Sequence, residues 1–97
     1  MTVQLRRYEV EPGRLGELVE WFPAIVPVRE KFGFTVDFAY ADHENSQFVW
    51  AVSYDGSVEE FEAAVEVYNA SPERAAAFAG VDSPGQVMHV GYVDAVG

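Results

Sequence analysis

Alternation with a period of two is clearest between Phe34 and Tyr54. Large apolar or aromatic side chains hold Phe34, Val36, Phe38, Tyr40, Phe48, Trp50, Val52 and Tyr54. The odd positions Thr35, Asp37, Ala39, Ala41, Val49, Ala51 and Ser53 are small or polar. Successive strand residues point to opposite faces, so the pattern predicts a long β-hairpin with one aromatic face and a polar tip at Asp42–Ser46. Val3–Val10 predicts an earlier strand, with Gln4, Arg6, Tyr8 and Val10 on one face and Leu5, Arg7 and Glu9 on the other. Adjacent Arg6 and Arg7 send one guanidinium to each face, and an inward one needs a carboxylate, a carbonyl or a ligand. Gln86–Val96 predicts the last strand. Val87, His89, Gly91 and Val93 share one of its faces; Met88, Val90 and Tyr92 share the other.

Between the strands the period changes. Leu15, Leu18, Val19, Phe22, Ile25 and Val26 form the stripe of an amphipathic helix over Arg14–Lys31, closed by Gly33. Pro23 and Pro27 lie inside it, and each removes a backbone donor, so a kink near Pro23 or two helical pieces is expected. Ser57 and Glu60 have capping-box spacing ahead of a second stripe of Val58, Phe61, Ala64, Val65 and Tyr68. Ser71-Pro72 caps a short alanine-rich helix over Pro72–Ala79, and Val81–Gly85 reads as a loop.

The order is β-α-β-β-α-β over a single domain spanning residues 1–97. It predicts an α+β, ferredoxin-like antiparallel sheet ordered 4-1-3-2 with its helices on one face. The other sheet face would be left open, and a face carrying Val and aromatic residues invites association. A homodimer, sheet against sheet, follows as an expectation.

Composition narrows the function classes. Sixteen acidic side chains against six basic ones give a net charge of −10, which repels phosphate backbones and anionic membranes. Neither nucleic acid nor membrane is an expected partner. With no cysteine, disulfides and thiolate chemistry are excluded. The chain enters a strand without a basic-then-apolar leader, so a cytoplasmic location is expected. One lysine among the six basic residues, with abundant Ala, Val, Gly and Glu, suggests a GC-rich, bacterial genome.

The run Gln4-Leu5-Arg6-Arg7-Tyr8-Glu9-Val10-Glu11-Pro12-Gly13-Arg14-Leu15 resembles the opening of NIPSNAP-family domains, in which a Leu-Arg-x-Tyr strand leads through Pro-Gly into a Leu-bearing helix. Val28–Phe34, Phe48-Val49-Trp50, Tyr54-Asp55 and the Asn69–Phe78 segment are similar to later parts of the same pattern. The resemblance implies the dimeric α/β-barrel superfamily. That group includes cofactor-free monooxygenases, haem-degrading enzymes, chlorite dismutases, polyketide cyclases, muconolactone isomerases and aldoxime dehydratases. It recurrently places a pocket between sheet and helices. Its haem-using members carry an iron-binding histidine near the second helical region, whereas Ser57–Gly80 has none. No cofactor is expected.

The candidate chemistry is sparse. His43 and His89 are the two histidines, suited to proton transfer near neutral pH. His43 also reads as a solvated turn residue, and His89 as a hydrogen-bonded strand residue beside the room left by Gly91. Both fall on edge strands, about three spacings of roughly 4.8 Å apart, too far to share a metal within one chain. No metal site is expected. The catalytic set is His89, Tyr8 and Trp50, with Arg6, Phe38, Tyr40, Tyr54 and His43 for substrate binding. The aromatic residues serve equally as ordinary core. If it faces inward, Asp37 is expected to pair with Arg6 or Arg7 rather than to act as a catalytic base, and Arg29 to complement the helix dipole rather than to bind an anion. No phosphate loop, Gly-x-Ser-x-Gly or dinucleotide fingerprint occurs. The reading is a small-molecule enzyme of bacterial specialised metabolism, performing cofactor-free rearrangement, cyclisation or oxygenation of an aromatic or polyketide-like substrate. The alternatives are a non-catalytic dimeric module that binds a ligand or protein, and a packed domain with no pocket.

Overall fold

A computed structural model describes residues 1–81 and 85–96. The elements are β1 (Thr2–Val10), α1 (Leu15–Lys31), β2 (Phe34–Asp42), β3 (Gln47–Tyr54), α2 (Val58–Asn69), α3 (Pro72–Phe78) and β4 (Gly85–Val93). The sheet is antiparallel in the order β2-β3-β1-β4, with the helices on one face. The fold is α+β and ferredoxin-like, as the element order predicts. Most of the expected loop over residues 81–85 lies outside the described residues.

Register decides which side chains meet the helices. Tyr8 pairs with Phe48, Arg6 with Trp50 and Gln4 with Val52, and Met88 lies opposite Tyr8 on the other flank. This face packs on Leu15, Leu18, Phe22 and Ile25 of α1 and on Phe61 and Tyr68 of α2, all buried. Val58, expected in the α2 stripe, is exposed at the first turn.

The hairpin departs from strict alternation at one place. Val36 pairs with Val52, but Phe38 pairs with Ala51, so Asp37 is an extra residue in β2. A bulge of this kind moves every later side chain of the strand to the opposite face. Phe38 and Tyr40 therefore leave the helix side and stack on each other at 5.3 Å across the helix-free face. They are 36% and 68% exposed. Asp37 pairs with neither arginine; its carboxylate accepts from Ser53 Oγ at 3.1 Å.

Helix α1 runs unbroken from Leu15 to Lys31 through both prolines. Pro23 and Pro27 are exposed and lie four residues apart on its outer side, where water can take up the carbonyls they leave unpaired. The capping box forms as spaced: Ser57 Oγ accepts from Glu60 N–H, and the Glu60 carboxylate accepts from Ser57 N–H. Ser71 caps α3, with Pro72 opening it. The molecule measures 18 Å in its thinnest direction, one sheet and one helix layer. No helix among the described residues is long and apolar enough to cross a membrane.

Candidate functional site

Between the sheet and the helices lies a cavity of about 430 Å³. Strand alternation brings Arg6 and Tyr8 from β1, Trp50 from β3 and Met88 from β4 to its floor. The apolar stripe of α1 supplies Leu18, Phe22 and Ile25, with Trp21 beside them. Helices α2 and α3 close it with Tyr68, Arg74 and Phe78. Trp21 fixes α3 by donating from Nε1 to the Ala77 carbonyl at 2.8 Å and by an edge contact with the Phe78 ring at 4.7 Å.

The polar content is unusual in sign. Three arginines line the cavity, and among its described lining residues none is acidic. Aromatic faces take the place of counter-ions. The Arg29 guanidinium lies 4.2 Å from the Tyr68 ring centre and 5.2 Å from those of Trp50 and Phe34. Arg74 lies 4.1 Å from Phe78 and 5.7 Å from Tyr68. Arg6 lies 5.5 Å from Trp50. Such contacts contribute up to about 2 kcal/mol each when desolvated.

They leave the hydrogen-bonding capacity of these groups largely unused. Arg29 is only 6% exposed, yet its Nε and Nη1 have no hydrogen-bond partner. The buried Nε of Arg74 and Nε1 of Trp50 also lack one. An unsatisfied buried donor costs about 1–3 kcal/mol, more when charged. Burial holds the Arg29 guanidinium below the usual arginine range; Tyr68 opposes that shift, and the charge of Arg6 adds to it. Starting so high, the group keeps its charge at neutral pH. Arg6 is better satisfied, donating from Nε to the Tyr8 hydroxyl at 2.8 Å and from Nη1 to Gln4 Oε1 at 2.9 Å. With its oxygen accepting from Arg6, Tyr8 keeps its own O–H to donate.

Of the residues singled out from sequence, Arg6, Tyr8 and Trp50 line this cavity. The pocket positions expected of the others are corrected by the structure. His89 belongs to the β4 face opposite Met88, so it lies on the helix-free side, exposed, with Nε2 2.7 Å from Glu9 Oε2. Phe38 and Tyr40 are carried to that same side by the bulge at Asp37. His43 is exposed at the hairpin tip, bordering a shallow groove with Pro12 and Gly13. Tyr54 packs on Phe34 and Phe61 within the core. Arg29, expected to serve the helix dipole at the end of α1, turns inward instead. Its signal was available, because it continues the apolar stripe at four residues from Ile25 and seven from Phe22. Among the described residues no group of three or more His, Asp or Glu could hold a metal.

No family model matches the chain, and no curated protein does. Solved structures do. An uncharacterized NIPSNAP domain protein from Burkholderia xenovorans superposes with a TM-score of 0.82 at 14% identity, covering 99% of this chain and 95% of that one. A NIPSNAP family protein of unknown function from Agrobacterium tumefaciens gives 0.83 at 9% identity, over 96% and 86%. An antibiotic biosynthesis monooxygenase gives 0.70 at 15% identity, over all of both chains. The chain thus has the α+β fold of NIPSNAP-domain proteins, the fold that its sequence resemblance implies.

Proposed function

We propose that this is a NIPSNAP-type small-molecule-binding protein, taking a flat, mainly aromatic compound into the cavity beneath its helices. The observation that carries the reading is that cavity. Its 430 Å³ lies in the range of ligand pockets, its walls are aromatic, and a few polar groups reach it from the sheet floor and from the helices. Likeness to an antibiotic biosynthesis monooxygenase supports extending the reading to chemistry. The activity would be cofactor-free rearrangement, cyclisation or oxygenation of an aromatic or polyketide-like substrate in bacterial specialised metabolism. Tyr8, backed by Arg6, is then the proton donor, and the free Trp50 N–H orients the substrate.

A second reading, a non-catalytic binding module, is favoured by one observation. Among the described lining residues there is no His, Asp, Glu, Lys or Cys to act as a strong general base. With a substrate in hand, Tyr8→Phe separates the two. Loss of turnover with binding kept within about twofold marks catalysis.

The open sheet face supports the homodimer. Phe38, Tyr40, Val87 and Val93 are exposed on it, around the small Ala51 and Gly91. A second copy is the occupant that covers such a face without a further protein.

Both tryptophans line the cavity and their indole N–H groups differ: Trp21 is bonded to Ala77, Trp50 is free. In nitrogen-15 NMR spectra, 2-naphthamide or 2-naphthoate should shift the Trp50 indole signal saturably. If neither probe moves it at millimolar concentration, the binding reading is wrong.

A further inference from the structure

We infer that the ligand of this cavity is an anion: a flat aromatic or conjugated carboxylate whose charged end is received by Arg29, with Arg6 and Arg74 alongside. The inference rests on the binding reading above and names the ligand class for it.

The first ground is the distribution of charge. The chain has sixteen acidic and six basic residues, yet the described cavity lining holds three arginines and no acid. If these arginines served only to secure the fold, the abundant carboxylates would be their cheapest partners. Elsewhere in the chain they are so used: Arg14 binds Glu11 and Glu17, and Lys31 binds Glu73. In the cavity the cations are held instead by ring faces and, at Arg6, by the neutral acceptors Tyr8 and Gln4, none of which neutralises the charge.

The second ground is the unfilled donors. Arg29 is buried to all but 6%, lines the cavity, and presents Nε and Nη1 without a partner. Arg74 and Trp50 line the same space, and their buried Nε and Nε1 are likewise unpartnered. Ring faces engage a guanidinium from the side of its plane, whereas its N–H groups point outward within the plane and remain for an oxygen acceptor. Like charges gathered in one low-dielectric space repel one another, and a bound anion removes that repulsion. Arginine recognises both carboxylate and phosphate. The aromatic walls favour the monoanion, because a phosphate dianion needs more donors or water than these walls supply.

The test compares 2-naphthoate with 2-naphthamide, which has nearly the same shape without the charge. The Trp50 indole signal reports occupancy and calorimetry reports affinity. Naphthoate is expected to bind at least tenfold more tightly. Arg29→Gln should weaken naphthoate at least tenfold and leave naphthamide within twofold. Arg74→Gln, at a partly exposed position on a short helix, should weaken naphthoate about threefold or more and keeps the test open if Arg29→Gln does not fold. Naphthamide binding as tightly as naphthoate overturns the anion inference while the cavity reading stands. Tighter binding of 2-naphthyl phosphate overturns the carboxylate assignment. Failure of all the probes overturns both readings.

Discussion

A guanidinium enclosed without a carboxylate is poorly placed for stability, and at Arg29 opposing contributions can be compared. Desolvating the charge costs several kcal/mol and two unpartnered donors add about 1–3 kcal/mol each, while the three ring contacts return up to about 2 kcal/mol each. The cost wins. Arg29→Met, similar in length and uncharged, should raise unfolding stability by about 1 kcal/mol in a urea titration while removing carboxylate binding. A lower midpoint would show that the ring contacts dominate. Tyr92 gives a second expectation at this scale. Its hydroxyl donates to Glu62 at 3.0 Å, and partial burial, followed by that carboxylate, raises its pKa above the ordinary tyrosine value. A raised folded value means the contribution is complete below about pH 10 and is lost as pH climbs through the folded value. Tyr92→Phe should therefore flatten the decline in stability above about pH 10, followed by chemical denaturation at each pH.

The secondary elements were legible wherever one periodicity served one face. β3 alternates without interruption, and β1 and β4 do so up to a register shift at Glu9/Val10, so the positions of Tyr8, Trp50 and Met88 could be read from spacing. β2 could not be read this way. Its aromatic residues keep period two across Asp37, so nothing in the pattern marks the inserted residue that sends Phe38 and Tyr40 to the other face. Arg29 was hidden for a different reason: a charged residue near a helix end has an ordinary explanation, although its spacing from Phe22 and Ile25 contradicted it. His89 is drawn to the pocket by its chemistry, against the alternation that sets it on the face opposite Met88. Local signals at helix starts were the most dependable. Ser57→Ala removes the oxygen that accepts from Glu60 N–H and should cost about 1 kcal/mol. A loss within error in thermal unfolding would mean that α2 is held by packing alone.

At the scale of the molecule, 18 Å of thickness allows one helix layer and no cover for the second sheet face. Leu5 sits centrally in a row with Phe38, Ala51 and Gly91. Leu5→Glu should place a charge in the middle of the proposed dimer contact and yield monomers at about 10 µM in sedimentation velocity, while the native chain sediments as a dimer. Because each copy carries −10, moderate salt should strengthen the native association by screening repulsion between the copies. A native chain that is monomeric at this concentration would refute the contact.

Helix α3 has seven residues and none is fully buried, yet it supplies Arg74 and Phe78 to the cavity. Its ties to α1 are few: the Trp21–Ala77 hydrogen bond, the Trp21–Phe78 ring contact and the Lys31–Glu73 ion pair. Short, weakly anchored segments open far more often than the cores beneath them. A guest would then come and go by way of this hatch, and its residence time would follow how often Trp21 lets go rather than how firmly the sheet is folded.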